Sequence, residues 1–448
     1  MGENRTIPKG WEAVKLGEIA NYVNGKAFKP TEWSKEGLPI IRIQNLNREE
    51  SQFNYCNFSV DEKYYVEKGD LLFAWSGTPD TSFGAHIWLG ARAVLNQHIF
   101  RIIIDETKIT KQFYLYALNH KVKEFVSKAH GTAGLAHITK NKFEESIISL
   151  PPIPEQNRIV AKIEELFSSL DKGIENLKTA QQQLKIYRQA VLKWAFEGKL
   201  TNKNVVDGEL PEGWKWVRLG EVCTNVEYGS AAKSKEKGQV PVLRMGNIQD
   251  GKFNWDDLVF TDDEVEINKY LLKRNDILFN RTNSPELVGK TAMYKGERPA
   301  IFAGYLIRVI CIEDLVDAAY LTYYLNSHAA RKYGSSVKSF GVNQANINGT
   351  KLKSYPLPLP PFAEQNRIVA EIESRLSVCD RIEDTINESL KQAEALRQSI
   401  LRKAFEGKLV PQDPNDEPAA ILLERIRAEH ATQTAEQRYI NSRRAAKC

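Results

Sequence analysis

Cysteine and methionine are scarce in this chain, with five and three copies in 448 residues. Cys56, Cys223, Cys311, Cys379 and Cys448 lie far apart, form no CxxC pair and are odd in number. Scattered reduced thiols are expected, which argues against structural zinc or a disulfide framework. No apolar run approaches the roughly 18 residues of a membrane-spanning helix, and the first residues, MGENRTIPKGWEAVKLGE, lack the apolar stretch of a secretory signal. Neither charge sign dominates: the net charge is +5, with the excess mainly in residues 1–150 and 211–355. A polyanion could therefore be held only by local basic faces. Catalytic signatures are missing too. There is no GxGxxG, HExxH, GxSxG or Asn/Asp-Pro-Pro-aromatic motif, and Gly289-Lys290-Thr291 has Ser284 where a phosphate loop needs its first glycine. His98 and His137 have no partner at ligand spacing, so no metal site is expected.

What the chain does contain is a duplication. IPKGWEAVKLGE at 7–18 recurs as LPEGWKWVRLGE at 210–221, so Trp11, Leu16, Gly17 and Glu18 correspond to Trp214, Leu219, Gly220 and Glu221. PIIRIQNL at 39–46 matches PVLRMGNI at 241–248, and KGDLLFAWSG at 68–77 echoes RNDILFNRTN at 274–283. PPIPEQNRIVAKIEELFSSLD at 151–171 matches LPPFAEQNRIVAEIESRLSVCD at 359–380. RQAVLKWAFEGKLT at 188–201 matches RQSILRKAFEGKLV at 397–410. A period of about 200 residues is too long for a solenoid; it predicts a pseudo-twofold protein.

Each copy has two parts. The first mixes short β-like runs (Leu38–Ile43, Leu71–Ala74, Ile99–Ile104; Val240–Arg244, Ile277–Phe279, Leu306–Ile312) with one amphipathic helix, near Lys111–Ala129 and Ala318–Tyr333. This pattern predicts an α+β domain. The second is a long helix, Glu155–Glu197 and Glu364–Glu406, preceded by prolines and closed by Gly198 or Gly407. A heptad stripe runs along both. In the first it comprises Ile163, Leu170, Leu177, Leu184 and Val191, flanked by Leu166, Ala180, Tyr187 and Trp194. In the second it comprises Ile372, Cys379, Ile386, Ala393 and Ile400, flanked by Ile382 and Leu396. Two equal stripes predict an antiparallel coiled coil, because the chain must return across a domain before the second helix begins. The expected division is 1–150 and 211–355 as variable domains, 151–210 and 356–410 as helical spacers, and 411–448 as a tail.

This duplicated order, with PPxxEQxxIV before each long helix and FxGKL after it, closely resembles the specificity subunit of type I restriction–modification enzymes. The paired GWxxVxLGE openings and the tail sequence EPAAILLERIRAEH at 417–430 resemble that family as well. The resemblance implies two target-recognition domains, each reading one half of an interrupted DNA sequence. The paired helices would act as a ruler, and the chain would have no catalysis of its own. It implies assembly with two methyltransferase subunits and, through them, with restriction (motor and nuclease) subunits. S-adenosylmethionine, ATP and Mg would be used by those partners and no cofactor by this chain, in the cytoplasm of a bacterium or archaeon. Two readings from other classes are a standalone nuclease and a coiled-coil protein scaffold; a modification-only methyltransferase system is a third variant.

Candidate DNA-contacting residues fall in three sets, chosen because Arg and Asn/Gln suit guanine and adenine edges and Lys suits phosphates. One follows a β-like run in each copy: Arg42, Gln44, Asn45, Asn47 and Arg48, and Arg244, Asn247 and Gln249. Another is the divergent loop Trp75, Ser76 and Thr78 against Asn280, Arg281, Thr282 and Asn283, with Lys233, Ser234 and Lys235 as a basic loop for phosphates. The last precedes each proline-rich segment: Lys128, His130, Thr132, His137, Thr139, Lys140 and Lys142, and Lys338, Asn343, Gln344, Asn346, Asn348 and Lys351. The competing explanations are polar surface turns, structural ion pairs and solvated charge. Trp11 and Trp214 are expected in the core.

Overall fold

A computed structural model describes residues 7–48, 50–132, 135–284, 287–341 and 344–428. The chain divides into two units: Met1–Glu175 with Leu390–Cys448, and Asn176–Ser389. Each is built on the same plan.

In the first unit, Glu12–Lys15 pairs antiparallel with Ile147–Leu150, so the variable segment starts and ends at one place. Between them lies an antiparallel sheet in the order Ala20–Asn24, Ile99–Ile104, Leu71–Ala74, Gly84–Ile87. A second sheet runs Asn54–Cys56, Leu38–Ile41, Ala93–Leu95, Tyr65–Val66, with Leu38–Ile41 and Ala93–Leu95 parallel. The unbroken apolar run LLFA is explained by burial on both faces. Leu71 and Phe73 face the core shared with the long helices, whereas Leu72 faces a separate cluster with Ile41, Val66 and Leu95. The second unit repeats this with Lys215–Arg218 against Pro356–Leu359, and a sheet in the order Cys223–Tyr228, Leu306–Cys311, Ile277–Asn280, Thr291–Met293. Ile277 and Phe279 again divide from Leu278.

The single amphipathic helix expected in each copy is two helices. Lys111–His120 and Val122–Lys128 meet at Lys121, and Ala318–Leu325 and His328–Val337 are separated by Asn326 and Ser327. In the second copy the Ser327 hydroxyl accepts from the Ala330 N–H, an N-cap that starts a new helix where the apolar spacing alone suggested continuity.

The long helices span Ile153–Phe196 and Phe362–Phe405. The glutamine of each EQ motif fastens the helix start to its own domain. Gln156 is fully buried; its amide donates to the Pro151 carbonyl (3.0 Å) and its oxygen accepts from the Thr110 N–H (2.9 Å). Gln365 bonds Pro360, Leu315 and the Asp317 N–H in the same way, at 3.0, 3.0 and 2.8 Å. The exit glycines have φ of +75° and +68°. A Cβ on Gly198 would sit 2.2 Å from Pro211, and one on Gly407 would sit 2.5 Å from Pro8. The repeated glycine, proline and tryptophan are therefore one packing unit, with Trp214 and Trp11 each beside it.

The equivalent glutamates have different surroundings. Glu364 accepts from the Trp214 indole N–H (3.1 Å), the Thr201 hydroxyl (2.9 Å) and the Asn202 amide (2.8 Å). For Glu155 the corresponding positions are Val410 and Pro411. Glu155 is 2% exposed and its Oε1 lacks a hydrogen-bond partner, while the Trp11 indole N–H faces the carboxyl without the geometry of a full hydrogen bond. Burial raises the Glu155 pKa despite the lowering influence of Trp11 and Arg158. A raised carboxyl pKa gives stability that is present below the unfolded value and lost as pH rises through the folded one. Glu155→Gln is expected to raise the thermal midpoint at pH 7.5 and to have less effect at pH 5. Glu364→Gln sets an amide N–H against donors and is expected to cost about 1–3 kcal/mol. Thermal unfolding of both variants at the two pH values checks the opposite signs.

Within each unit the helices pair antiparallel. In the second unit Arg188 bonds Asp380 (2.7 Å) and Glu383 (2.9 Å), and Gln181 bonds Asn387 (3.2 Å). In the first, Asp171 pairs with Arg397, whose guanidinium also lies 4.4 Å from the Phe167 ring centroid. Asp171 and Arg188 of one helix are equivalent to Asp380 and Arg397 of the other, so each partner swaps role in the other copy, as a self-complementary interface requires. The column Ile163, Leu184, Val191, Ile372, Cys379, Ile386, Ala393 and Ile400 is buried, and Leu170 and Leu177 are half-buried. Leu396 does not belong to the seam: it is 51% exposed, as are Ile382 (44%), Tyr187 (38%) and Trp194 (38%). The second column sits four residues after the first rather than three: Phe167, Ile174, Gln181, Arg188 and Ala195, and Leu376, Glu383, Leu390, Arg397 and Ala404. A buried isoleucine contributes about 1.5–3 kcal/mol and an exposed ion pair about 0–1. The apolar residues of both columns therefore hold the helices together, and Arg188, Glu383 and Arg397 of the second add orientation.

Candidate nucleic-acid interface

Two candidate segments from distant parts of the sequence join in one small sheet in each unit. In the first unit Ser76–Gly77 pairs with Leu135–His137, which pairs with His130–Thr132; the register is His137 opposite Ser76 and His130. In the second, Thr282–Asn283 pairs with Gln344–Asn346, and that with Ser339–Gly341; Asn346 lies opposite Thr282 and Ser339. The short helix Ile43–Asn47 also adjoins, with Ile43 Cδ1 4.0 Å from the position of a Cβ on Gly77. His130, Thr132 and Gln344 are described through their backbone, and Asn343 lies outside the described residues.

Several candidates are scaffold rather than surface. Asn45 and Asn247 look like adenine readers, yet each closes a turn. Their oxygens accept from the Arg42 and Arg244 N–H groups, at 3.0 and 2.8 Å. Their amides donate to Ser51 and Gln52, and to Asn254 and Asp257. Asn247 is 3% exposed, Ser76 7% and Asn280 0%, so none reaches a ligand as it stands. Asn280 donates to the Leu287 carbonyl. Trp75 packs inward, stacked on Phe100 at 5.6 Å with His98 at 5.4 Å. Burial, with the neighbouring His137, lowers the His98 pKa.

Not all of the remaining candidates join these sheets: Lys235 bridges Phe260 and Gln249 pairs with Lys252 on other strands of the second unit. Gln44, Asn47, Arg48, Thr78, His137, Thr139, Lys140 and Lys142 are exposed in the first unit. Lys140 lies 3.5 Å from Glu144, and Lys128 bonds Glu124 (2.7 Å) and Ser146 (3.3 Å). In the second unit, the half-buried Arg281 donates to the Gly304 carbonyl (3.0 Å) and lies 4.8 Å from the Tyr228 ring centroid. Lys351 donates to Ser339 (2.7 Å), Lys338 approaches Ser335 at 3.5 Å, and Asn348 caps the helix Gly349–Lys353. Lys233, Lys235 and Gln249 are exposed and Ser234 is half-buried; Lys235 pairs with Asp262 and Arg244 with Asp257, both at 3.0 Å. The basic loop is thus partly neutralised by its own acids.

Residue spacing overlooked one cluster. Trp33 (38% exposed) lies 5.2 Å from the Arg42 guanidinium, and Phe58 (39%) lies 5.4 Å from the Lys26 ammonium. Single exposed aromatics carry no periodic signal; the equivalents in the second unit are polar, Ser234 and Asp263. Among the described residues no group of three or more His, Cys, Asp or Glu is placed to hold a metal, and no helix is long and apolar enough to cross a membrane.

Like frameworks bearing unlike side chains, repeated in the two units, define a class: duplicated proteins built from two copies of one domain plan. The family model for the type I restriction modification DNA specificity domain matches residues 8–185 and 211–392, and the chain belongs to that family. It is 27% identical to the type I restriction enzyme EcoBI specificity subunit of Escherichia coli, over 95% of this chain and 94% of that one. It is 28% identical to the MjaVIII specificity subunit of Methanocaldococcus jannaschii, over 90% and 94%. A chain solved in work on complex assembly and conformational transition of the type I R-M system superposes with TM-score 0.69 at 22% identity, over 90% of this chain and 99% of its own. The HsdS subunit from Thermoanaerobacter tengcongensis superposes with TM-score 0.56 at 21% identity, over 90% and 99%. These two likenesses establish the fold.

Proposed function

We propose that this chain is the DNA-reading specificity subunit of a type I restriction–modification assembly, with each unit reading one half of a bipartite duplex site. The observation that carries this is the pair of matched three-stranded sheets, built by equivalent segments but bearing the exposed His137 in one and the half-buried Thr282, Asn283 and Asn346 in the other. Base-edge contacts specify and phosphate contacts position. Different side chains on equal scaffolds are what two different half-sites demand. Arg281, supported by Tyr228, is the base-reading candidate of the second unit. Lys140, Lys142, Lys233 and Lys351 are candidates for phosphate.

The long helices set the gap between half-sites and dock two methyltransferase subunits, which bring restriction subunits with them. S-adenosylmethionine, ATP and Mg belong to those partners, and this chain performs binding alone. The test is to assay the purified chain with DNA, Mg, ATP and S-adenosylmethionine, with and without methyltransferase subunits. Methylation only with the methyltransferase subunits present, and no cleavage, is expected. Turnover by the chain alone, or sequence-blind binding by the assembly, would overturn the reading.

A further inference from the structure

Cys223 and Cys311, 88 residues apart in sequence, are direct partners across two antiparallel strands of the second unit. The Ile312 N–H donates to the Val222 carbonyl (2.9 Å), so the cysteines occupy a non-hydrogen-bonded pair. At such a pair the Cα atoms are about 4.5 Å apart and the side chains lean together, within the roughly 4.4–6.8 Å that a disulfide spans. Both cysteines are half-buried, so a small oxidant reaches them, whereas Cys56 and Cys379 are buried. Hydrogen bonding to Cys223, with burial, pushes the Cys311 thiol up, which records that the two sulfurs meet. The Cys223 strand lies at the edge of its sheet, and its register shifts between Cys223 and Asn225, leaving room to adjust. The first unit has Ala20 opposite Ile104 at the equivalent pair.

We propose that Cys223 and Cys311 form a reversible redox site, oxidised by hydroperoxides to a cross-strand disulfide that pins the edge strand of the second unit alone. One sulfur takes an oxygen from the hydroperoxide, which leaves as its alcohol, or as water from hydrogen peroxide. The other sulfur then attacks the sulfenic acid and water departs. Overall, two thiols and one hydroperoxide give a disulfide, an alcohol and water. The pinned strand runs on to Tyr228, which lies beneath Arg281.

The test treats the folded full-length chain with hydrogen peroxide, blocks remaining thiols, and examines unreduced peptides by mass spectrometry. The expected result is a loss of two thiols per chain, with the Cys223 and Cys311 peptides recovered as one linked pair, two hydrogens lighter and separated by dithiothreitol. Cys223→Ala, which installs the residue of the first repeat, and Cys311→Val are each expected to abolish the link. A thermal midpoint that rises on oxidation only in the unsubstituted chain is the second readout. Recovery of the two cysteines as separate blocked thiols or sulfinic acids, or linked to other cysteines, would overturn the proposal. The outcome does not depend on DNA binding.

Discussion

Inserting four residues after Gln183, with four more after Gln392, is expected to lengthen the gap in the DNA target by about two base pairs and leave both half-sites unchanged. The two insertion points are equivalent in the duplication. Four residues make slightly more than one turn and add about 6 Å, and duplex DNA rises about 3.4 Å per base pair. The insertions fall between the two clasps, so the seam survives at both, and the Gln181–Asn387 contact between them is given up. Asp171 and Arg397 stay in phase with each other, as do Arg188 and Asp380. Insertion after Gln183 alone lengthens one helix against an unchanged partner and drives its apolar column out of register. That variant is expected to lose stability rather than to shift the gap. Sequencing methylated adenines in cells carrying each variant separates these outcomes; an unaltered gap in the double insertion counts against the helices as a ruler.

Replacing residues 1–150 by the corresponding segment of another family member is expected to change one half-site completely and leave the other and the gap intact. The structural reason is the pairing of Glu12–Lys15 with Ile147–Leu150, which makes the segment a closed insert with adjacent ends. Its attachments to the helical part centre on one shared core, where Phe113 and His120 meet Phe405 and Tyr116 meets Phe167, together with the Thr110 N–H on Gln156 and Trp11 beside Gly407. A graft that keeps these attachments keeps its seat. Altering a well-placed base contact usually costs about 1–3 kcal/mol at one position. Exchange of the whole sheet alters every contact of that half-site, so specificity should switch rather than relax. Retention of both original half-sites would refute the assignment of residues 1–150.

The long helices were legible in the sequence because proline and glycine mark their ends and an apolar residue recurs every seven positions. Their second column was not. An α-helix turns every 3.6 residues, so the inward face drifts from the third to the fourth position, which puts Arg188, Glu383 and Arg397 beside the seam while Leu396 and Ile382 turn outward. The EQ motif was visible as a repeat, but the job of Gln156 and Gln365 was hidden because Thr110 and Asp317 lie nearly 50 residues away. Asn45, Asn247 and Asn280 were chosen for side-chain chemistry that suits adenine. The same chemistry suits a buried turn, and only tertiary contacts separate the two uses. The meeting of residues 76–77 with 135–137 likewise depends on long-range strand pairing, which no local pattern encodes.

The measurement that bears most directly on the central claim is the methylated motif in DNA from the source cell. Two unlike half-sites separated by a fixed stretch of unspecified bases, with one adenine modified in each, are predicted. A continuous motif, or a palindrome with identical halves, would contradict an account in which two different heads are held by one pair of helices.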